Sequence, residues 1–204
     1  MDRVTLPEAA EQLGVTPSQV QRLIATGELR AERFGRVWAV DVASIRERSA
    51  LRPQRGRPLS EAGAWNQLAQ QPPLSGLEKL SAVAVAVRRR ARLHRCRALP
   101  AELDTVADDE RVVLGGAVGA AAQGAATAGL GLDVYVSESV WPAFAVDHHL
   151  STGSAEPNIY VRVVQDENWP FGDDGFAPLV VCAVDSYERL DRRSAHEALA
   201  AAPR

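Results

Sequence analysis

Ser18, Gln19, Gln21 and Arg22 occupy four of five consecutive positions, and Val20, Leu23 and Ile24, between and after them, fall at i, i+3 and i+4. On a helix this spacing buries the apolar three and turns the polar four outward. The outward set has the chemistry to read bases. A glutamine amide offers a donor and an acceptor that match the adenine edge, and an arginine fork matches guanine. Thr16, Ser18 and the helix start suit a phosphate oxygen. Arg33 and Arg36, either side of Phe34-Gly35, suit a DNA backbone or a minor groove. A third basic group is Arg55-Gly56-Arg57-Pro58. Its glycine allows close approach and its arginines suit a narrow, electronegative groove. The same four residues also read as a basic linker with a turn.

Other chemistry finds less support. His148 and His149 are adjacent and flanked by Asp147, a poor spacing for chelation, so a solvated helix end is the plainer reading. His94 and His196 are the other histidines. Cys96 and Cys182 have no nearby partner and read as small buried hydrophobes rather than nucleophiles. Residues 115–131 hold neither a P-loop pattern nor glycines in GxGxxG order behind a firm strand. Asp173-Asp174 reads as a turn. Asp104, Asp108, Asp109 and Glu110 show no paired-carboxylate spacing. Trp65, Trp141, Trp169 and Phe171 read as core and rim packing. No catalytic residue, metal site or cofactor is expected, and the chain is not expected to be an enzyme.

The elements that must hold these residues read locally. A helix is predicted over 5–13, with Thr5 as cap, Pro7 in the first turn, Glu8 completing a capping box, and Ala9, Ala10 and Leu13 inward. Gly14 ends it. Val15 lies in the turn, and Thr16-Pro17 opens the base-reading helix, which runs through Thr26 to Gly27. Residues 29–33 and 37–40 flank Phe34-Gly35-Arg36 as a tight hairpin, with Trp38 packing it onto the helices. Asp41 caps a third helix over 42–51, with Val42 and Ile45 inward. The basic, breaker-rich stretch from Pro53 to Pro58 marks a domain boundary.

Beyond it, helices are predicted over 60–70 and 76–91, although Val83, Val85 and Val87 alternate like a strand. Residues 93–98 read as an arginine-edged strand, 101–109 as a short helix and 112–114 as a short strand. Residues 115–131, rich in alanine and glycine, read as a closely packed helix of small residues. Residues 132–136 and 158–164 are strands, Ser137 caps a helix to His149, and 168–175 is a loop. Residues 178–188 fit strand or helix, and 191–201 form a terminal helix.

The 204 residues are 46% hydrophobic and 24% charged, which suits one large domain or two small ones and excludes a collagen, a coiled coil or a disordered tail. No apolar run approaches a membrane span, the N-terminus has no apolar h-region, and two cysteines make no disulfide framework. A cytoplasmic chain, nucleoid-associated when bound to DNA, is expected. The net charge of −3 divides into +3 over 1–60, +5 over 61–99 and −11 over 100–204. That division suggests an anionic partner for the first half, with chance segregation of solvated charge as the alternative. Arg88, Arg89, Arg90, Arg92, Arg95 and Arg97 are the densest cluster. They suit phosphates bound without sequence choice, the acidic second half inside the molecule, an acidic partner protein, or plain solvent.

Helix, short turn, helix and hairpin make a winged helix-turn-helix plan, whose second helix fits a major groove about 12 Å wide. Pro7-Glu8-Ala9-Ala10, Leu13-Gly14-Val15, Val20, Leu23-Ile24, Gly27-Glu28-Leu29, Gly35-Arg36 and Asp41 carry a resemblance over residues 4–50 to the excisionase and MerR-type winged helix-turn-helix. After residue 50 no long dimerisation helix and no cysteine metal site follow, so MerR-style sensing is not implied. Residues 56–202 show a second resemblance, through GRPLSEAGAWNQL, RARLHRCRALPAELDTVADDERVVLGGAVGAAAQGA, DVYV, PNIYVRVV, WPF, APLVVCAVDSYE and RRSAHEAL. They are similar to the C-terminal region of actinobacterial helix-turn-helix proteins of the AbiEi antitoxin type. This resemblance implies a repressor that controls its own operon and antagonises a nucleotidyltransferase-type toxin. AbiEi-type proteins usually begin with a different winged helix.

The expectation is an α+β chain. Residues 1–52 form a winged helix-turn-helix DNA-binding domain, 53–59 an AT-hook-like linker, and 60–204 a mixed α/β domain for a partner, an effector or dimerisation. The expected partners are double-stranded DNA, a second copy of the chain and a toxin. The expected role is a sequence-specific transcriptional repressor; the alternative is an excisionase-like architectural protein in site-specific recombination.

Overall fold

The computed structural model describes residues 3–25, 28–35, 37–50, 59–129, 131–154 and 156–203. The chain divides into two compact units, Met1–Pro53 and Gln54–Arg204. The first contains β1 (Arg3–Thr5), α1 (Leu6–Leu13), α2 (Pro17–Ala25), β2 (Ala31–Phe34), β3 (Val37–Asp41) and α3 (Val42–Ala50). α1 begins where Thr5 and Glu8 close a capping box, the Thr5 amide donating to the Glu8 carboxylate at 2.7 Å. It ends at Gly14, whose φ of +63° is a left-handed conformation open to glycine without steric cost. Ala9, Ala10, Val20, Leu23, Leu29, Val40 and Ile45 meet in one core. The helical period of α1 and α2 and the alternation of β3 therefore converge on the same interior. β1 has no counterpart in the sequence reading. It pairs antiparallel with β3, giving the sheet order β1-β3-β2. Leu29 is not in a strand: its amide donates to the Leu23 carbonyl at 3.1 Å, and β2 starts only at Ala31.

The second unit contains α4 (Glu61–Ala69), α5 (Leu77–Ala86), β4 (Arg92–Arg97), α6 (Leu103–Ala107), β5 (Val113–Leu114), α7 (Gly116–Ala122), β6 (Leu132–Ser137), α8 (Trp141–Asp147), β7 (Ser151–Thr152), β8 (Ile159–Val164), α9 (Leu179–Glu188) and α10 (Arg192–Ala201). The five strands lie in the order β5-β6-β8-β4-β7. β6 and β8 are parallel, and the other pairs are antiparallel. Along β6 and β8, Leu132, Val134, Val136, Ile159, Val161 and Val163 face one side and pack with Cys96, Val106 and Phe144. The period of two sends Asp133, Tyr135 and Arg162 to the other side. That side meets α9, a helix buried on nearly every face and packed by α5, α7 and α10.

Three sequence expectations change here. Residues 115–131 are not one helix: α7 ends at Ala122, and 123–129 are turn and coil. Ser137 is not a helix cap. It is the last residue of β6, held there by its register with Val164 of β8, and α8 begins at Trp141. His148 is not at a solvated helix end. It is 7% exposed and bonded through Nε2 to Asp109 at 2.8 Å. Residues 178–188, which fit strand or helix, contain helix α9. Among the described residues no helix is long and apolar enough to cross a membrane.

Candidate nucleic-acid interface

The candidate interface is built on α2. Val20 is fully buried and Leu23 nearly so, which fixes the roll of the helix. Ser18, Gln19, Gln21 and Arg22 are consequently exposed. Thr16 and Gln19 close a second capping box at the helix start. The Thr16 amide donates to Gln19 Oε1 at 2.9 Å, and the Gln19 amide donates to Thr16 Oγ1 at 3.3 Å. Two residues read as DNA contacts thus hold the end of the helix. With its carbonyl oxygen occupied, Gln19 would have to leave the cap to pair bidentately with adenine. Ser18, Gln21 and Arg22 carry no such duty.

The β2–β3 hairpin places Arg33 on the surface. Its Nε donates to the Gly35 carbonyl at 3.1 Å, and its guanidinium carbon lies 5.8 Å from the centre of the Trp38 ring. Trp38 is therefore half-buried beneath a cation rather than sunk in the core. Arg36, Arg55 and Arg57, with the rest of the 53–58 stretch, lie outside the described residues.

Several arginines of this unit serve the fold instead. Arg30 Nε donates to Asp41 at 2.7 Å, and its amide donates to Ser44 Oγ at 3.1 Å, tying the hairpin to the start of α3. Arg3 pairs with Glu32 at 2.5 Å, and Arg48 pairs with Glu28. Arg22, Arg33 and Arg46 are exposed. Arg46 on α3 escaped the sequence reading. Periodicity gave no signal for it, since position 46 is i+4 from Val42 and so falls toward the face that Val42 and Ile45 mark as inward.

In the second unit the arginine run does not form one patch. Arg90 is 1% exposed. It donates to Asp185 at 2.5 Å, to Glu188 at 2.7 and 2.8 Å, and to the Tyr135 hydroxyl at 3.0 Å. Arg162, also buried, reaches Asp133 at 2.6 Å, Glu188 at 3.1 Å and Asp185 at 3.2 Å. Arg189 reaches the second oxygen of Asp133 at 2.6 Å. Tyr135 donates to Asp185 at 2.7 Å. Three guanidiniums and three carboxylates thus balance inside the unit. Burial raises the carboxyl pKa of Asp185, against the pull of Arg162 and Arg90. For Glu188 the same burial is outweighed by those two cations, and its pKa falls. Arg92 and Arg97 form surface pairs with Glu138 and Glu156, while Arg89 is exposed. The intramolecular reading therefore holds for Arg90, while Arg92 and Arg97 stay on the surface in exposed pairs.

Among the described residues no three His, Cys, Asp or Glu side chains are grouped to hold a metal ion. Cys96 and Cys182 are both buried.

No curated protein and no solved structure matches the chain. Residues 4–48 match one protein family, described as a helix-turn-helix domain, and the exposed face of α2 lies within that match. The chain thus carries an N-terminal helix-turn-helix domain of DNA-binding type.

Proposed function

We propose that the chain is a sequence-specific regulator of transcription that lays α2 in a major groove. The division of α2 carries this reading: Val20 and Leu23 are anchored in the core while Ser18, Gln21 and Arg22 stand in solvent. An exposed arginine fork beside an exposed glutamine amide suits guanine next to adenine. The β2–β3 hairpin acts as the wing, with Arg33 on the phosphate backbone. The second unit serves a partner, an effector or dimerisation without catalysis; its buried cations and carboxylates are occupied with one another.

The sharper form is an autoregulating repressor of the AbiEi antitoxin type, with a nucleotidyltransferase-type toxin as partner. It rests on the resemblance of residues 56–202. The test titrates the full-length protein against a fluorescent duplex from upstream of its own gene and against a scrambled duplex. Salt is varied over about 50–200 mM, where phosphate contacts show themselves. Preference for the upstream duplex, weakening as salt rises, is expected. Equal binding to both, or none, overturns autoregulation.

A further inference from the structure

The β2–β3 hairpin runs past its own sheet. β1 pairs with β3 only at positions 39–41, so among the described residues the Arg33–Trp38 and Phe34–Val37 rungs have no third strand. Phe34 and Val37 are 60% and 56% exposed. Directly opposed residues share a face of the ribbon, so the two side chains form one apolar tip. Single exposed apolar residues are ordinary. Here an aromatic and a β-branched side chain meet on the last rung.

Two arginines lie beside this tip, Arg33 on the opposite face of the ribbon and Arg3, paired with Glu32, on the same face. Arg33, next in sequence to Phe34, is pinned by its bond to the Gly35 carbonyl. Arg3 lies 5.7 Å from the centre of the Phe34 ring. Glu32, the carboxylate two residues before Phe34 on the same face, is neutralised by Arg3. A polyanion can therefore approach the tip without meeting an unpaired Glu32 charge.

We infer that Phe34, backed by Val37, enters a minor groove as a wedge between base steps and kinks the duplex. The inference rests on the DNA-binding reading above and adds a deformation of the DNA to it. Apolar wedges of this kind unstack a step and bend the helix, and flanking arginines favour the narrow groove they enter.

The test uses the full-length protein and a duplex recovered by in vitro selection from a random library. End-attached dyes report bending by energy transfer, and 2-aminopurine moved through the site reports unstacking. Wild type is expected to bend the duplex by at least about 20° and to raise 2-aminopurine emission at one step. Phe34→Ala is expected to lose both signals while losing less affinity than Arg22→Ala; Phe34→Leu keeps both. An unchanged thermal unfolding curve for Phe34→Ala shows that the loss is not one of folding. Wild-type binding to a straight duplex with flat emission, or full bending by Phe34→Ala, overturns the wedge alone. Recovery of no duplex overturns the DNA reading, and the wedge with it.

Discussion

Arg90 and Asp185 stand 95 residues apart in sequence and 2.5 Å apart in space, at 1% and 0% side-chain exposure. Neither charge reaches water, so each depends on the other and on Glu188, Tyr135 and Arg162. Removing one member of a buried ion pair strands the rest and costs about 3–5 kcal/mol. Arg90→Met keeps the apolar stem and removes the guanidinium. It should lower the unfolding free energy of the second unit by an amount in that range, seen as a fall in the urea midpoint and read by the fluorescence of Trp65, Trp141 and Trp169. A midpoint within error of wild type would mean that the network carries no stability.

Gly116 sits against the same network. Its φ is +54°, and an added Cβ would lie 2.5 Å from Asp133 Oδ2. Gly14 has a similar φ of +63° with open space around it. Both alanine substitutions incur the left-handed penalty of about 1–2 kcal/mol. Only Gly116→Ala also pushes on Asp133, the acceptor for Arg162 and Arg189. Gly116→Ala should therefore destabilise clearly more than Gly14→Ala in paired thermal unfolding measurements. Equal losses would show that the strand carrying Asp133 yields.

The helix-turn-helix was legible because its signals are local. Thr5 and Glu8 lie three residues apart, Gly14 marks its own turn, and Val20 and Leu23 repeat at the helical period. The second unit was less legible because its deciding contacts are distant. Ser137 has the chemistry of a cap, yet its pairing with Val164 keeps it in the sheet. Nothing in its run distinguishes Arg90 from the other five arginines until α9 brings Asp185 and Glu188 to it. At the interface, Arg22 and Gln21 stand where periodicity put them, whereas Gln19 was claimed by a backbone cap.

Asp109 supports an acid-side prediction. It accepts from the Arg111 side chain at 2.6–3.2 Å, the Arg111 amide at 2.8 Å and His148 at 2.8 Å. Arg111 first, then His148, outweighs the opposing effect of burial and holds its pKa well below the ordinary carboxylate range. A carboxylate depressed in the folded state stabilises fully above its unfolded pKa of about 3.9 and loses that contribution as pH falls through the folded value. Asp109→Asn should cost about 1–3 kcal/mol at neutral pH, as for a lost buried partner. Its deficit against wild type should shrink as pH drops below about 4. A deficit constant down to acid pH would assign the loss to packing.

Cys96 and Cys182 should be silent to thiol reagents in the folded protein. Both are 0% exposed. Burial pushes the Cys96 thiol up to about 11. At pH 8 that leaves about one thiolate in a thousand. Burial also raises Cys182, with Asp185 and Asp133 adding to it. No labelling is expected at pH 8 under native conditions, and both thiols should react in denaturant. Rapid native labelling would show that a face of the second unit opens.

Gln19 and Arg22 lie three positions apart on α2 but should fail in different ways. Gln19 holds the helix start through Thr16. Gln19→Ala should cost about 1 kcal/mol of stability, as for a lost cap. It should weaken binding to specific and scrambled duplexes alike, because the helix frays without losing a base contact. Arg22 has no capping bond and is exposed. Arg22→Ala should leave the unfolding midpoint unchanged and weaken the specific complex by about 1–3 kcal/mol, with little change on scrambled DNA. Anisotropy titrations of both variants on both duplexes separate the roles. A specific loss for Gln19→Ala with full stability would show that DNA draws Gln19 out of its cap. An equal loss on both duplexes for Arg22→Ala would place that arginine on a phosphate.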